Sequence, residues 1–462
     1  MNRYNRSTSP SPLTRIVRIA LPVTLVLIAI SMFRLGPAPA VEATLDRPGI
    51  GQAPMRLTAR VTERKRGLSR VRLELMQGDD VHTLAEHSFD PPPSWALWKK
   101  SETEKVIDLE ISRDDLPQKT SGEIQLRLTA AGVGTSLRNP RTTTQDWTVP
   151  VRLTPPSLSV QSSPNYVRQG GSGLVVYRVD PTVLEEGGRD GVQAGEWFFP
   201  GQPADPAQPQ KRMALYAAPY DMPDGSGLML TAVDPYGNET RQRFLDRYFE
   251  QPLKTDTINV SDRFFEQVVP EIMAQTPDFE DRGSLVDNYV AINRDMRRQN
   301  AETLRALAAD SPAEWLWSGA FTQLPNSQVT SSFADRRTYV YNGQEIDQQD
   351  HLGFDLASTR RAEVPASNRG IVRLARYFGI YGNTVVVDHG FGLMTLYSHL
   401  SSIDVEEGQN VDKGHVLGRS GETGLAAGDH LHYTVMIQGL AVNPIEWWDA
   451  QWIEHRILDV LE

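Results

Sequence analysis

At 462 residues the chain is long enough for roughly three or four domains. A hydrophobic share of 39% with 23% charged residues describes ordinary globular domains and excludes a disordered chain. A net charge of -11 leaves no basic stripe for a phosphate backbone, which excludes nucleic acid, and the absence of cysteine excludes disulfides and thiolate metal sites. Any bound metal must therefore sit on His, Asp or Glu.

The N-terminus (1–45) reads as an address. Arg3, Arg6, Arg15 and Arg18 precede any acidic residue, and the apolar run "IALPVTLVLIAISMF" (Ile19 to Phe33) follows. This is the pattern of an export signal with a positive flank. "APA" at Ala38 to Ala40 is a candidate cleavage site, while Ile16 to Leu35 reaches the ~20 residues that a spanning helix needs, provided Arg18 snorkels. The expectation is an uncleaved inner-membrane anchor, with the remainder in the cell envelope or periplasm.

From 46 to 154 short alternating runs point to a β-sandwich. Leu57, Ala59 and Val61 alternate, as do Val71, Leu73 and Leu75, and then Ile124, Leu126, Leu128 and Ala130. "TPPSLSV" opens a second β module, 155–250, holding "SGLVVYRV" and "GLMLTAVDPYGNET". In 251–318 the texture turns helical: Leu285, Tyr289, Ile292 and Met296 share one helical face, and Ser284 with Asp287 forms a capping box. This segment is expected to be a packed connector, with a lid over the downstream groove as the functional alternative. The last region, 319–462, returns to β patterning. The fold class expected is mainly β: two sandwich-like modules, a helical connector and a C-terminal β domain.

Seven of the nine histidines fall in the last quarter: His455, in a polar C-terminal stretch and expected at the surface, and His351, His389, His399, His415, His430 and His432. His430 and His432 flank Leu431 in "HLHYTVMI", so a strand points both imidazoles to one face. His351 and Asp355 share a face if "HLGFDLA" is extended, with Gly353 permitting close approach. "MTLYSHL" sets His399 on the face of Tyr397. Adjacent strands of this kind would converge four histidines and one carboxylate on one groove. Three such ligands suit a catalytic zinc ion, which keeps a fourth position for water. The remaining histidines would then serve proton transfer or support a developing oxyanion.

"HLGFDLA", "VPASNRGIV", "YGNTVVVDHGFG", "LYSHLS", "GQNVDKGHVLGRSGETG", "GDHLHY" and "VNPIEWW" occur in that order over Val329 to Trp452. This set resembles the lysostaphin-like, or LytM-like, zinc metalloendopeptidases. The resemblance implies an antiparallel β domain of the duplicated hybrid motif type with an open groove. It implies zinc held by His351, Asp355 and His432, catalysis by His399 and His430, and a peptidoglycan peptide as substrate. It also implies a tyrosine near the oxyanion, for which Tyr339 and Tyr341 are candidates. Asp429 departs from the apolar residue or proline usual before the first histidine of HxH, and is expected to alter the basicity of His430. His415 is expected at the surface, and His389 to orient a hairpin. The rival expectation is a non-catalytic envelope regulator that activates another hydrolase. The β modules are expected to hold the catalytic domain toward the wall or to engage an envelope protein.

Overall fold

The computed structural model describes residues 12–34, 36–91, 99–135 and 138–461. A helix spans Pro12–Arg34 with Pro22 inside it, and of its described side chains, Ile16 to Ile30, all but Ile30 are exposed. Among the described residues no helix is long and apolar enough to cross a membrane. Arg3 and Arg6 of the basic flank, and Leu35 at the end of the apolar run, lie outside the described residues.

The chain is mostly β, and it divides into two compact units. One comprises residues up to 156 with 185–188 and 233–239; the other comprises 157–184, 189–232 and 240–462. In the first unit, a three-stranded sheet (Ala40–Leu45, Met55–Thr62, Glu104–Ile111) packs on a four-stranded one (Asp80–Ser88, Leu68–Gln77, Gly122–Gly132, Thr142–Val151). Pleating sends alternate side chains to opposite faces. Accordingly Leu57, Ala59, Val61, Val71, Leu73, Leu75, Ile124, Leu126, Leu128 and Ala130 are all buried in one shared core. Each fully buried Leu or Val among them contributes about 1.5–3 kcal/mol of hydrophobic stabilisation.

The second unit contains a further β module and the C-terminal sheet. Ser172–Val179 and Lys211–Ala217 lie at the centre of one sheet of the module, and Arg189–Ala194 and Leu228–Val233 at the centre of another. A single cluster of buried side chains joins Tyr177 and Tyr216 of this module to Val385, Tyr433 and Trp447 farther along the chain. The C-terminal sheet is antiparallel, in the order Gln328–Ser331, Phe354–Ala357, Leu431–Ile437, Leu393–Leu400, Asn383–Asp388, Gly370–Tyr377, Asn410–Val411. Beside it Thr255–Asn259 pairs in parallel with Asp335–Tyr341, which pairs in antiparallel with Gln344–His351. The connector therefore begins with a strand and is helical only from Asp262.

Helices follow at Asp262–Gln275 and Leu285–Ala291, the latter continuing through a π turn, Ile292–Met296, into Arg297–Ala309. Ser284 caps the helix, its hydroxyl accepting from Asp287 N at 3.1 Å, but the expected box is not closed: the Asp287 carboxylate accepts from that same hydroxyl at 2.6 Å rather than from the Ser284 backbone. Tyr289, Ile292 and Met296 are buried, but Leu285 is exposed, because as the first helical residue it lies ahead of the packed stretch.

A candidate metal centre and its cavity

His351 and Asp355 do not lie on one continuous strand, as the alternation in "HLGFDLA" suggests. His351 ends the strand Gln344–His351 and Asp355 belongs to Phe354–Ala357, a strand of the neighbouring sheet. The corner at Leu352 and Gly353 turns both side chains inward. A Cβ added at Gly353 would stand 2.6 Å from the His432 ring, so only glycine admits the imidazole there. Register does the rest: Asp355 is paired with His432 across adjacent strands.

His399 breaks its own pattern. Ser398 is the residue paired with His432, and strict alternation would turn His399 to the opposite face with Tyr397. Instead His399 adopts φ 60°, the left-handed region, and its ring stands 5.8 Å from that of His432 and 4.9 Å from that of His430. This strained backbone is held in place by Nδ1–H donating to the Thr423 carbonyl at 2.7 Å.

The outer hydrogen bonds fix every tautomer. Carbonyls only accept, so the nitrogens facing them carry hydrogen. His351 Nδ1 donates to Ser332 O at 3.0 Å, and His430 Nδ1 donates to Gly428 O at 2.7 Å. Thr434 Oγ1 gives its hydrogen to Leu352 O at 2.9 Å, so it must accept from His432 Nε2–H at 3.1 Å. The inward nitrogens are then His351 Nε2, His432 Nδ1, His399 Nε2 and His430 Nε2, each with a lone pair when the ring is neutral. His351 Nε2 and His432 Nδ1 lie 3.0 Å from one another and each 3.0 Å from Asp355 Oδ1. His430 Nε2 lies 3.4 Å from the same oxygen.

Lone pairs and an anion at these distances repel unless a positive charge sits among them. The ligating atoms of His351, Asp355 and His432 lie within 4.8 Å of one another. Donors held at ~2.0–2.2 Å from one tetrahedral ion are about 3.3 Å apart, so this set fits a zinc-like cation with little movement. Burial raises the affinity of Asp355 for a proton, but its electrostatic contacts with His351, His430 and His432 outweigh it and hold the carboxyl well below its usual range. Its other oxygen accepts from Arg337 Nη2 at 3.2 Å, and Arg337 is tied to Ser331 Oγ at 2.6 Å. Burial pushes His432 down to about 4 and, with the nearby His430 and His432, keeps His399 well below the usual imidazole range. For His430 burial is overcome by Asp355, and its affinity for a proton rises.

Asp429 accepts from Arg361 N at 3.0 Å and Ser420 Oγ at 2.6 Å, so the carboxylate beside the His430 ring is Asp355, not Asp429. Tyr339 lines the cavity over these residues, whereas Tyr341 donates to Asp262 and does not. His389 is buried in the sheet, bonded to Arg369 O and Thr395 Oγ1, while His415 is exposed. Sequence reasoning missed Ser332, Thr423, Gly428, Thr434 and Arg337, whose roles arise from contacts 2 to 82 residues apart. It also missed Tyr381, whose ring stands 5.8 Å from that of His432. The cavity measures about 260 Å³ and is walled on one side by Phe264, Tyr289, Asn293 and Arg297 of the helical segment.

Residues 349–444 match Peptidase family M23, so the C-terminal region carries an M23 peptidase domain. Over 165 residues, 36% of this chain and 35% of the relative, the chain is 31% identical to "Peptidoglycan DD-endopeptidase ShyA" of Vibrio cholerae serotype O1. Over 95 residues, 21% of this chain and 22% of the relative, it is 43% identical to "DD-carboxypeptidase/endopeptidase Mpg" of Neisseria meningitidis serogroup B. The match thus spans about a third or less of these curated relatives. A solved structure described as a putative peptidase M23 from Pseudomonas aeruginosa is 22% identical, covering 63% of this chain and 96% of that one at a TM-score of 0.39.

Proposed function

We propose that this chain uses its M23 domain as a zinc-dependent endopeptidase that hydrolyses peptide cross-links of peptidoglycan in the bacterial cell envelope. The observation that carries the reading is the cluster of inward lone pairs on His351, Asp355 and His432, each ring fixed by an outer hydrogen bond. The relatives' printed activities motivate the substrate class. Those three residues would hold the zinc, which would supply a Lewis acid able to polarise a carbonyl and acidify water.

The other residues supply binding and proton transfer. His399, kept neutral by burial with Nδ1–H fixed on Thr423, presents Nε2 as the general base. His430, whose proton Asp355 favours, donates a hydrogen bond to the oxyanion and then a proton to the leaving amine. Arg337 holds the second oxygen of Asp355, leaving one oxygen for the metal. The basic, apolar N-terminus motivates export and an envelope location, where a cysteine-free chain has no thiols to oxidise. The β modules are the surface we assign to any envelope partner. A non-catalytic regulator has no need of His399 and His430 beside a full ligand set, so the enzyme is the better reading. The test is loss of cross-linked in favour of uncross-linked muropeptides in purified sacculi treated with the zinc-loaded full-length chain. Cleavage abolished by chelation and restored by zinc is expected; a zinc-loaded chain that leaves the cross-links intact overturns the proposal.

A further inference from the structure

The cavity over the histidines carries a charge without an ion partner. Histidines aside, the side chains lining it that bear formal charge are Arg297, Arg337 and Asp355. Arg337 Nη2 donates to Asp355 Oδ2 at 3.2 Å, so those two charges cancel. Arg297 is half-buried, and its hydrogen bonds run back one turn: Nε donates to Asn293 O at 3.0 Å and Nη2 to Asn293 Oδ1 at 2.7 Å. Among the described residues it pairs with no carboxylate. A chain with 58 acidic residues to 47 basic ones has left this guanidinium unmatched beside its candidate metal centre.

The guanidinium is also held in advance. Asn293 is buried, and its Nδ2 donates to the buried Asp347 at 2.9 Å, with Arg294 Nη2 on the other oxygen at 2.9 Å. Asn293 lies in the π turn Ile292–Met296 and Arg297 follows it directly. Such a turn inserts one residue and re-aims the side chains beyond it. Both bonds to Asn293 use the Nε–Nη2 edge of Arg297. The Nη1–Nη2 edge keeps two parallel N–H groups, the fork that matches a carboxylate. Burial raises the proton affinity of the Tyr289 and Tyr381 hydroxyls in the same cavity, and the nearby Arg297 charge opposes it. Because the fork is already positioned, little side-chain freedom is lost when an anion docks. From this geometry we infer that Arg297 sets substrate specificity: it takes a free carboxylate on the peptide residue next to the scissile amide, so the site selects an anionic peptide. The inference rests on the peptidase reading above. The cavity, about 260 Å³ and half open to solvent, puts that carboxylate and the four histidines in one space.

The experiment uses full-length wild type, R297M and R297Q, each first checked for native circular dichroism. R297M keeps the bulk of the stem and removes the charge; R297Q keeps a donor for Asn293 and serves if R297M does not fold. The probes are cross-linked muropeptide dimers from muramidase-digested sacculi, used as prepared or with every carboxyl converted to carboxamide by carbodiimide and ammonium chloride. Metal-free chain is titrated with each dimer by calorimetry, and zinc-loaded chain is assayed for cleavage of each. Wild type should bind and cleave the free dimer about 10- to 100-fold better than the amidated one. The neutral variants should lose that preference through weaker binding of the free dimer, with the amidated dimer handled as in wild type. A wild type indifferent to amidation, or variants that keep the preference, overturn the inference. Variants that cleave both dimers faster also overturn it, since Arg297 would then obstruct the substrate rather than hold it. A binding preference lost in the variants, with neither dimer cleaved by zinc-loaded wild type, overturns the peptidase reading and leaves the carboxylate site standing.

Discussion

At the residue scale, orientation of the cluster rests on neighbours that carry no metal themselves. Thr434 is the clearest: its hydroxyl has one hydrogen, spent on Leu352 O, so it can only accept from His432 and thereby turns Nδ1 inward. Thr434→Val keeps the shape and removes that acceptor. Zinc affinity, measured by competition with a chromogenic chelator, should fall by ~10–100-fold; an unchanged affinity would show that the tautomer is fixed some other way. Gly353→Ala is the steric counterpart, and the 2.6 Å approach to the His432 ring predicts a like loss of zinc with the sheet intact by circular dichroism. The residues to which we assign the chemistry were legible because histidine and aspartate are chemically marked wherever they stand. Their supports were not, since Ser332 and Thr423 act through backbone carbonyls, which every residue has.

At the element scale, period-two reasoning worked where strands are regular and failed where the site is built. All ten apolar residues read as alternating in the first module are buried. In the peptidase sheet, a corner at Gly353 and the left-handed His399 each break the alternation, and each break aims a functional side chain. Such irregularities cost local backbone energy and leave no mark in hydrophobic pattern. The helical face of Tyr289, Ile292 and Met296 was legible; the π turn within it was not, since it shifts the helix by one residue without changing residue types. The Ser284 cap offers a test at this scale. Ser284→Ala should destabilise the helix start by about 0.5–2 kcal/mol, read from the urea midpoint. No change would mean that Asp281 and Asn288, which are bonded to one another nearby, hold the turn alone.

At the scale of the whole molecule, the second β module and the peptidase sheet share a core, so they stand or fall together. Glu446 lies at this junction, accepting from Ser172 N at 2.7 Å and Ser172 Oγ at 3.1 Å, while Trp447 Nε1 donates to the same hydroxyl. Burial raises its carboxyl from 4.5 to about 7, against the opposing pull of the Ser172 donors. The folded chain therefore binds this proton more tightly than the unfolded one. Stability falls as pH rises from about 4.5 to about 7, and the full cost, about 3 kcal/mol, is present above that window. Urea midpoints at pH 5 and pH 8 should differ less for Glu446→Gln than for wild type; equal differences would remove Glu446 as the cause. Pairing of residues 274 apart is beyond any local pattern, and for that reason this junction was invisible in the sequence.

The central claim is the division of labour between three metal ligands and two proton-transfer histidines. Replacing His399 removes an inward nitrogen without touching the cluster around Asp355, whereas replacing His351 removes a ligand that has no substitute. The direct measurement is zinc per chain in purified His399→Ala and His351→Ala, by inductively coupled plasma mass spectrometry after dialysis against trace zinc. The account predicts near one ion per chain in His399→Ala and near none in His351→Ala. Zinc lost from His399→Ala and retained by His351→Ala would contradict it.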